Sequence, residues 1–374
     1  MKHAHKAALA AFCTLVTLPA TSHAQSLDLT VNDVGLSIGD SRRVTGLRIN
    51  FRDRRMEEVN GVNITVWTPY EVNKGVVRGV ALGLPLTGAR RISGLAAGIF
   101  GVGAGESIHG LALGGIGVGA GQDMEGIAVG GIGMGIGQNM TGIGVGGIGM
   151  GIGQDLHGVG IGGIGMGIGQ DLHGIAIGGI GGGIGGNMVG LGVGGIGMGV
   201  GGSAKGILIG GIGSGIGGDM TGLSIGGIGV GVGGNAKGVT LAGIGFGAGA
   251  DVTGVQVAGI GIGAGGTLKW VSIAGIGIGA QRIEGLAIAA GVGAKETRAL
   301  VIAPFYFKIT DGGRANGVNI SAYNNVRGTQ QGLALGIFNY ARSLDGLQIG
   351  LLNYAGNKSR GSRLLPIFNY ARAH

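Results

Sequence analysis

Cysteine is nearly missing from this chain: among 374 residues there is one, Cys13, inside an N-terminal apolar stretch. A disulfide framework or a thiolate metal cage cannot be built from one cysteine, so the fold must rest on backbone and core. Proline is scarce, 5 residues beside 96 glycines, and glycine recurs at every second position instead of every third, which excludes a collagen helix. Charged residues make up 12 % and hydrophobic ones 44 %, the reverse of a disordered composition. Aromatic residues are few and are not interleaved with the basic ones, so nucleic-acid binding is not expected. An apolar run long enough for a permanent transmembrane helix is also missing, since Ala7 to Leu18 is too short.

Recognisable catalytic arrangements are lacking too. The many GxGxxG matches are not followed by a helical pattern, as a dinucleotide site requires. No Ser or Cys nucleophile stands in a recognisable setting with a base. The carboxylate pair Glu57-Glu58 lies among arginines and reads as a solvated charged loop. Neither an enzyme nor a cofactor is expected.

What is present is a repeat. Taking Gly158 as position one, equivalent starts fall every 16 residues from Gly94 to Gly254, and Trp270 holds the next. Less regular units start at Gly46, Gly61 and Gly79 before the array and at Gly285, Gly317, Gly332, Gly346 and Gly361 after it, for about twenty units in all. Positions two and four are aliphatic (Val159 and Ile161), as are seven, nine and eleven (Ile164, Met166, Ile168). Position three varies, with Arg48, Asn63, Gln256, Asn319 and Gln348 among its occupants. This is strand alternation: the aliphatics are expected to point inward and position three outward, with the doubled glycine (Gly162-Gly163) switching the parity. A helix is excluded, because alternate glycines would cost it roughly 1 kcal/mol each.

A polar turn, Gln170 to His173, closes each unit. Its third residue is apolar (Leu156, Leu172, Met188) and is expected to fold inward, while its Asp or Asn is expected to bond nearby backbone. Asn324, Asn339 and Asn353 read as position eight, where either a positive φ or a stacked Asn ladder explains them, with Asn369 following after a one-residue shift. Tyr340 and Tyr354 read as an inward ladder at position nine, and Trp67 and Trp270 as packed near the ends of the array.

The fold expected is an all-β parallel β-solenoid of about twenty coils of roughly 16 residues, with a repeat-built transmembrane β-barrel as the alternative. Its divisions are residues 1-24, a secretory signal peptide; 25-93, irregular repeats and a cap; 94-284, the regular glycine-rich array; and 285-374, C-terminal repeats and a cap. Lys2 and Lys6 ahead of the apolar run, with Ser22-His23-Ala24 as the cleavage site, carry the signal-peptide reading.

Metal candidates are confined to the turns. Asp155, His157, Asp171 and His173 fall at matching positions of adjacent units and would lie about one strand spacing apart, though duplication of a turn yields the same pattern. Lys205, Lys237 and Lys269 alternate with Thr221 and Thr253 at position sixteen, which avoids stacking like charges. The formal net charge of +8 is concentrated near the two ends, where the arginines either attract an anionic envelope surface or solubilise an apolar stack.

The C-terminal units GLALGIFNYARSLD and GLQIGLLNYAGNKSR resemble the bacterial exported surface-repeat family with GLxIGLxNxA units, closely over residues 332-373 and more loosely from Gly317. The resemblance implies an exported protein of the cell envelope and supplies no catalytic residue. The function expected is a non-enzymatic structural or interaction protein of the periplasm, outer membrane or cell surface. Its partner would be the envelope surface or another protein. Self-association through a glycine face, membrane contact, an outer-membrane barrel and a self-assembling matrix remain open.

Overall fold

The computed structural model describes residues 26-372; the expected signal peptide, Cys13 and His374 lie outside the described residues. The chain divides into two compact units, Met1–Glu106 and Ser107–His374.

The first unit opens with an antiparallel hairpin, Leu27–Val31 with Val34–Ile38. Its two turn residues, Asn32 and Asp33, have φ of 52° and 64°, the left-handed conformation a two-residue hairpin turn needs. Parallel strands then stack in order: Val34–Ile38, Arg43–Asn50, Glu58–Thr65, Val76–Gly83 and Leu86–Gly98.

In the second unit each regular coil has a seven-residue and a four-residue strand, for example Leu156–Gly162 and Gly165–Ile168. Each pairs in parallel with its counterpart in the next coil, so that Gly158 meets Gly174 and Met150 meets Met166. Parallel pairing between coils makes this a β-solenoid of about 18 turns and not a transmembrane barrel, whose neighbouring strands run antiparallel. Two boundaries differ from the sequence count. Ala299 takes the position-one slot between Gly285 and Gly317, and Gly361 sits in a 3₁₀ turn, Arg360–Ser362. The chain then reverses, and Leu364–Ala371 lies antiparallel against the last coil. A strand run the other way ends the parallel stacking, which limits further growth at that edge.

Side-chain facing overturns part of the expected pattern. Odd positions point inward: Met166 and Ile168 at nine and eleven, Leu172 and Met188 at fifteen, and position three throughout. Arg48, Asn63, Gln256, Asn319 and Gln348, expected on the outer face, are all buried. Positions two and four point outward: Ile143, Ile207, Val255 and Val257 are exposed and Ile161 is half-buried. Ile164 at position seven is 49 % exposed. The doubled glycine therefore bends the coil without switching its parity, and only the corner residue is thrown out.

Steric limits explain the assignment. A Cβ on Gly160, at position three, would lie 2.7 to 2.9 Å from the tips of Met150, Leu156 and Met166. The long side chains of positions nine and fifteen fill the interior there, so position three takes what space remains. Burying each such Leu or Met stabilises by about 1.5–3 kcal/mol, an upper estimate. Where the neighbours differ, polar groups enter, some of them in pairs. Gln256 and Ser272 are hydrogen-bonded at 3.2 Å, and Gln348 Nε2 donates to Gln330 Oε1 at 2.9 Å.

The C-terminal asparagines stand one position later than the count implied. Ile278 pairs with Val292, Val292 with Phe307 and Phe307 with Asn324, which places Asn324 in the buried position-nine slot. The ladder reading holds: Asn324 Nδ2 donates to Asn339 Oδ1 and Asn339 Nδ2 to Asn353 Oδ1, each at 2.7 Å. Asn369 does not extend it in parallel register; on the reversed strand its Nδ2 donates to the Asn353 main-chain oxygen at 3.1 Å. Asn339→Ala is expected to destabilise the chain by about 2 kcal/mol, because it leaves the buried Asn353 Oδ1 without its donor, takes one acceptor from Asn324 Nδ2 and opens a void. Urea unfolding of the variant measures this, and a change below about 0.5 kcal/mol would count against the ladder.

Candidate functional site

The outward residues of the regular array form three surfaces. One carries positions fourteen and sixteen, one positions two and four, and one positions eight and ten.

The first is polar and holds the metal candidates. Position fourteen is a column in which each side chain accepts the backbone N–H of its counterpart one coil on. Asp171 N–H donates to Asp155 Oδ1 at 2.9 Å and Asn187 N–H to Asp171 Oδ1 at 2.6 Å. The Asp and Asn residues thus bond backbone as expected, but across coils rather than within their own turn. His157 and His173 do stack in adjacent coils, ring centroids 4.9 Å apart and planes within 1°. Their nitrogen lone pairs lie in parallel planes, side by side rather than converging. Among the described residues no group of three or more His, Cys, Asp or Glu is placed to hold a metal ion. The Lys–Thr alternation holds in register, Lys205 beside Thr221 and Thr221 beside Lys237.

The second surface is aliphatic, and it meets the third at a ridge. From Ile116 to Ile276 one isoleucine per coil, eleven in all, stands at position seven between 45 and 62 % exposed. The third surface is bare. At positions eight and ten every coil from 115 to 281 carries glycine. Continuous exposed apolar surface on this scale is unusual for a monomer.

Toward the C-terminus the bare surface becomes aromatic. Tyr306 lies tilted against Tyr323 at 5.4 Å, Tyr323 stacks on Phe338 at 5.3 Å, and Tyr340 stacks on Tyr354 at 5.1 Å with planes 6° apart. Tyr340 and Tyr354 follow the buried asparagines and so sit outward at position ten, not inward at nine. The inner faces of the Tyr340–Tyr354 pair are turned to one another. Burial and the neighbouring Tyr306 push the Tyr323 phenol above its ordinary value. Trp67 and Trp270 are exposed rather than packed, and Trp270 holds the position-one slot with φ of 84°.

In the first unit the outstanding feature is a cationic cavity of 680 Å³, lined by Arg42, Arg43, Arg54, Arg55, Lys74 and Arg90 around the one carboxylate of Glu57. Arg43 Nε donates to Glu57 Oε2 at 2.9 Å, and Arg54 lies over the Tyr70 ring at 4.7 Å, which orients it. Arg90 reaches Glu106 at 3.4 Å; the hydrogen bond from Arg91, then the charges of Arg91 and Arg90, hold that carboxyl below its usual range. Beneath it, Arg48 is fully buried. Its Nη1 donates to Asp53 Oδ1 and, at 2.8 Å, to Asn63 Oδ1, and its Nη2 donates to Asp40 Oδ1 at 3.2 Å. The crowding of basic residues was legible in the sequence; that Arg48 stands inside while its neighbours line a cavity was not.

Among the described residues no helix is long and apolar enough to cross a membrane. The chain matches no family model, no curated protein and no solved structure.

Proposed function

We propose that the chain is a non-enzymatic, exported repeat protein of the bacterial cell envelope that works by presenting an extended β surface to a partner. The observation that carries this reading is the unbroken outward line of isoleucine and glycine along the regular array, which no internal contact requires. The sequence of residues 1-24 and the C-terminal GLxIGLxNxA-like units support export and envelope location. In this reading the arginine-lined cavity gives the first unit an electrostatic hold on anionic envelope polymers.

Fractionation of a bacterial host expressing the whole chain tests it. The protein is expected in the envelope fraction, shortened at its N-terminus, and released by high salt or urea without detergent. Retention in the cytoplasm at full length would sink the reading. The cavity adds a second expectation. Replacing Arg42, Arg54 and Lys74 by Gln lowers the salt needed for release, because fewer phosphate-like contacts are screened away. An unchanged release profile removes the cavity from the account.

A further inference from the structure

Most glycines of the array are required by the backbone that surrounds them, but those of the third surface are not. A Cβ on Gly135, Gly151, Gly167 or Gly183, at position ten, would meet nothing within 4 Å. At position eight it would make ordinary contacts, 3.9 Å at Gly165 and 3.4 Å at Gly181, with a tighter one, 3.2 Å, only at Gly117 in the first of these coils. None of these residues has a positive φ. Yet all eleven coils from 115 to 281 read Gly-Ile-Gly-x-Gly, while the buried x between takes six residue types, among them Met166, Gly182, Ser214 and Phe246. Simple duplication would have copied the interior residue along with its neighbours. An interior position that drifts between two exterior ones that do not is the reverse of what a solenoid core requires. A close external contact accounts for it.

We propose that this strip is a self-complementary interface through which two copies of the chain associate side by side, their coils running parallel. The proposal rests on the surface reading above and names its partner. The isoleucine ridge borders the bare glycine trough. A two-fold axis along the solenoid axis lays the ridge of each copy in the trough of the other. A two-fold axis across the coils would set ridge on ridge and hold the glycines apart.

Three observations favour a second copy. Only a surface with the same rung spacing of about 4.8 Å meets every coil at an equivalent point. Positions six to twelve carry no charge in any of the eleven coils, so like copies do not repel. Eleven rungs, about 50 Å, by five residues at about 3.3 Å each give roughly 800 Å² per copy, or about 1,600 Å² in total, the size of a standard stable interface. A bilayer would accept the isoleucines, but fluid acyl chains gain nothing from missing Cβ atoms.

Sedimentation of the chain from residue 25 onward tests the proposal, beside the variant Gly151→Leu/Gly167→Leu/Gly183→Leu. The unsubstituted chain is expected to form a dimer. The triple variant should associate at least tenfold more weakly with an unchanged circular dichroism spectrum, since the added side chains have room in the monomer. Spin labels at Gln122→Cys or, separately, Ala250→Cys are expected to give similar short distances between copies, because a parallel pair sets each level beside itself. A chain that stays monomeric, or a triple variant that dimerises as tightly, overturns the proposal. So does a monomer that binds phosphatidylcholine vesicles through the strip. Any of these leaves the envelope reading standing if fractionation supports it, and cytoplasmic retention with an intact dimer does the opposite.

Discussion

Gly163→Ala is expected to lower the unfolding free energy by about 3 kcal/mol, whereas Gly167→Ala, four residues on, raises it by about 0.5 kcal/mol. At Gly163 a Cβ would lie 1.9 Å from the carbonyl oxygen of Gly147 in the coil below. That oxygen belongs to the stacked backbone of the corner and cannot turn aside without parting two coils. At Gly167 the Cβ meets nothing and φ is ordinary, so the substitution mainly removes freedom from the unfolded chain. Both variants are compared with the parent by urea unfolding at a concentration where the chain is monomeric. The opposite signs are the test: two losses of similar size would mean that the second strand's outer surface is already covered within the monomer.

Arg48→Met is expected to cost the first unit about 3–5 kcal/mol, the largest effect of a single side chain in this protein. The guanidinium is buried against Asp53, Asp40 and Asn63, and its loss leaves Asp53 in a low-dielectric interior without its cation, while Asp40 keeps Arg55 at 3.6 Å. The cost comes from that orphaned charge more than from the pair's own worth, so removing a charge from the other side should restore part of it. Arg48→Met with Asp53→Asn is expected to regain at least about 1 kcal/mol over Arg48→Met alone. Hydrogen exchange across residues 43–65 locates the effect in the first unit. A double variant no more stable than the single one would show that Arg48 matters for its volume and not for its charge.

Much of the architecture was legible in the residues. The 16-residue period, the inward turn residue at Leu156 or Leu172 and the Lys–Thr alternation followed from spacing and side-chain chemistry, and the Asn ladder was one of two readings that spacing allowed, the positive φ being the one the backbone does not adopt. The facing of the long strand did not. Ile161 and Ile143 were expected inside because aliphatic side chains usually are, and Arg48 and Asn63 outside because charged and amide groups usually are. Both habits fail here. Position three lies under the crowded tips of Met150 and Leu156, which leave no room for a Cβ on Gly160, and takes a larger residue, such as Leu208, where Ala204 and Ser214 hold the positions that crowd it. Asn324, Tyr340 and Tyr354 were misplaced by one residue because the C-terminal corners are shorter: Ile320 and Tyr323 pair with Leu335 and with Tyr306 across a corner that has lost one residue, and in a strand one residue exchanges inside for outside. The metal candidates did fall together in space, as duplication of a turn also predicts, and their geometry is that of a stack.

The sequence by itself determined that the chain is a repeat of short strands, because a glycine-spaced period of two inside a period of 16 admits no helix and recurs at every level, while the parallel pairing of those strands selected the solenoid over the barrel. Only the tertiary structure decided which side of each strand faces the interior. A strand presents two faces of similar composition here, and the choice between them depends on the space left by side chains from the opposite wall, which no single coil contains.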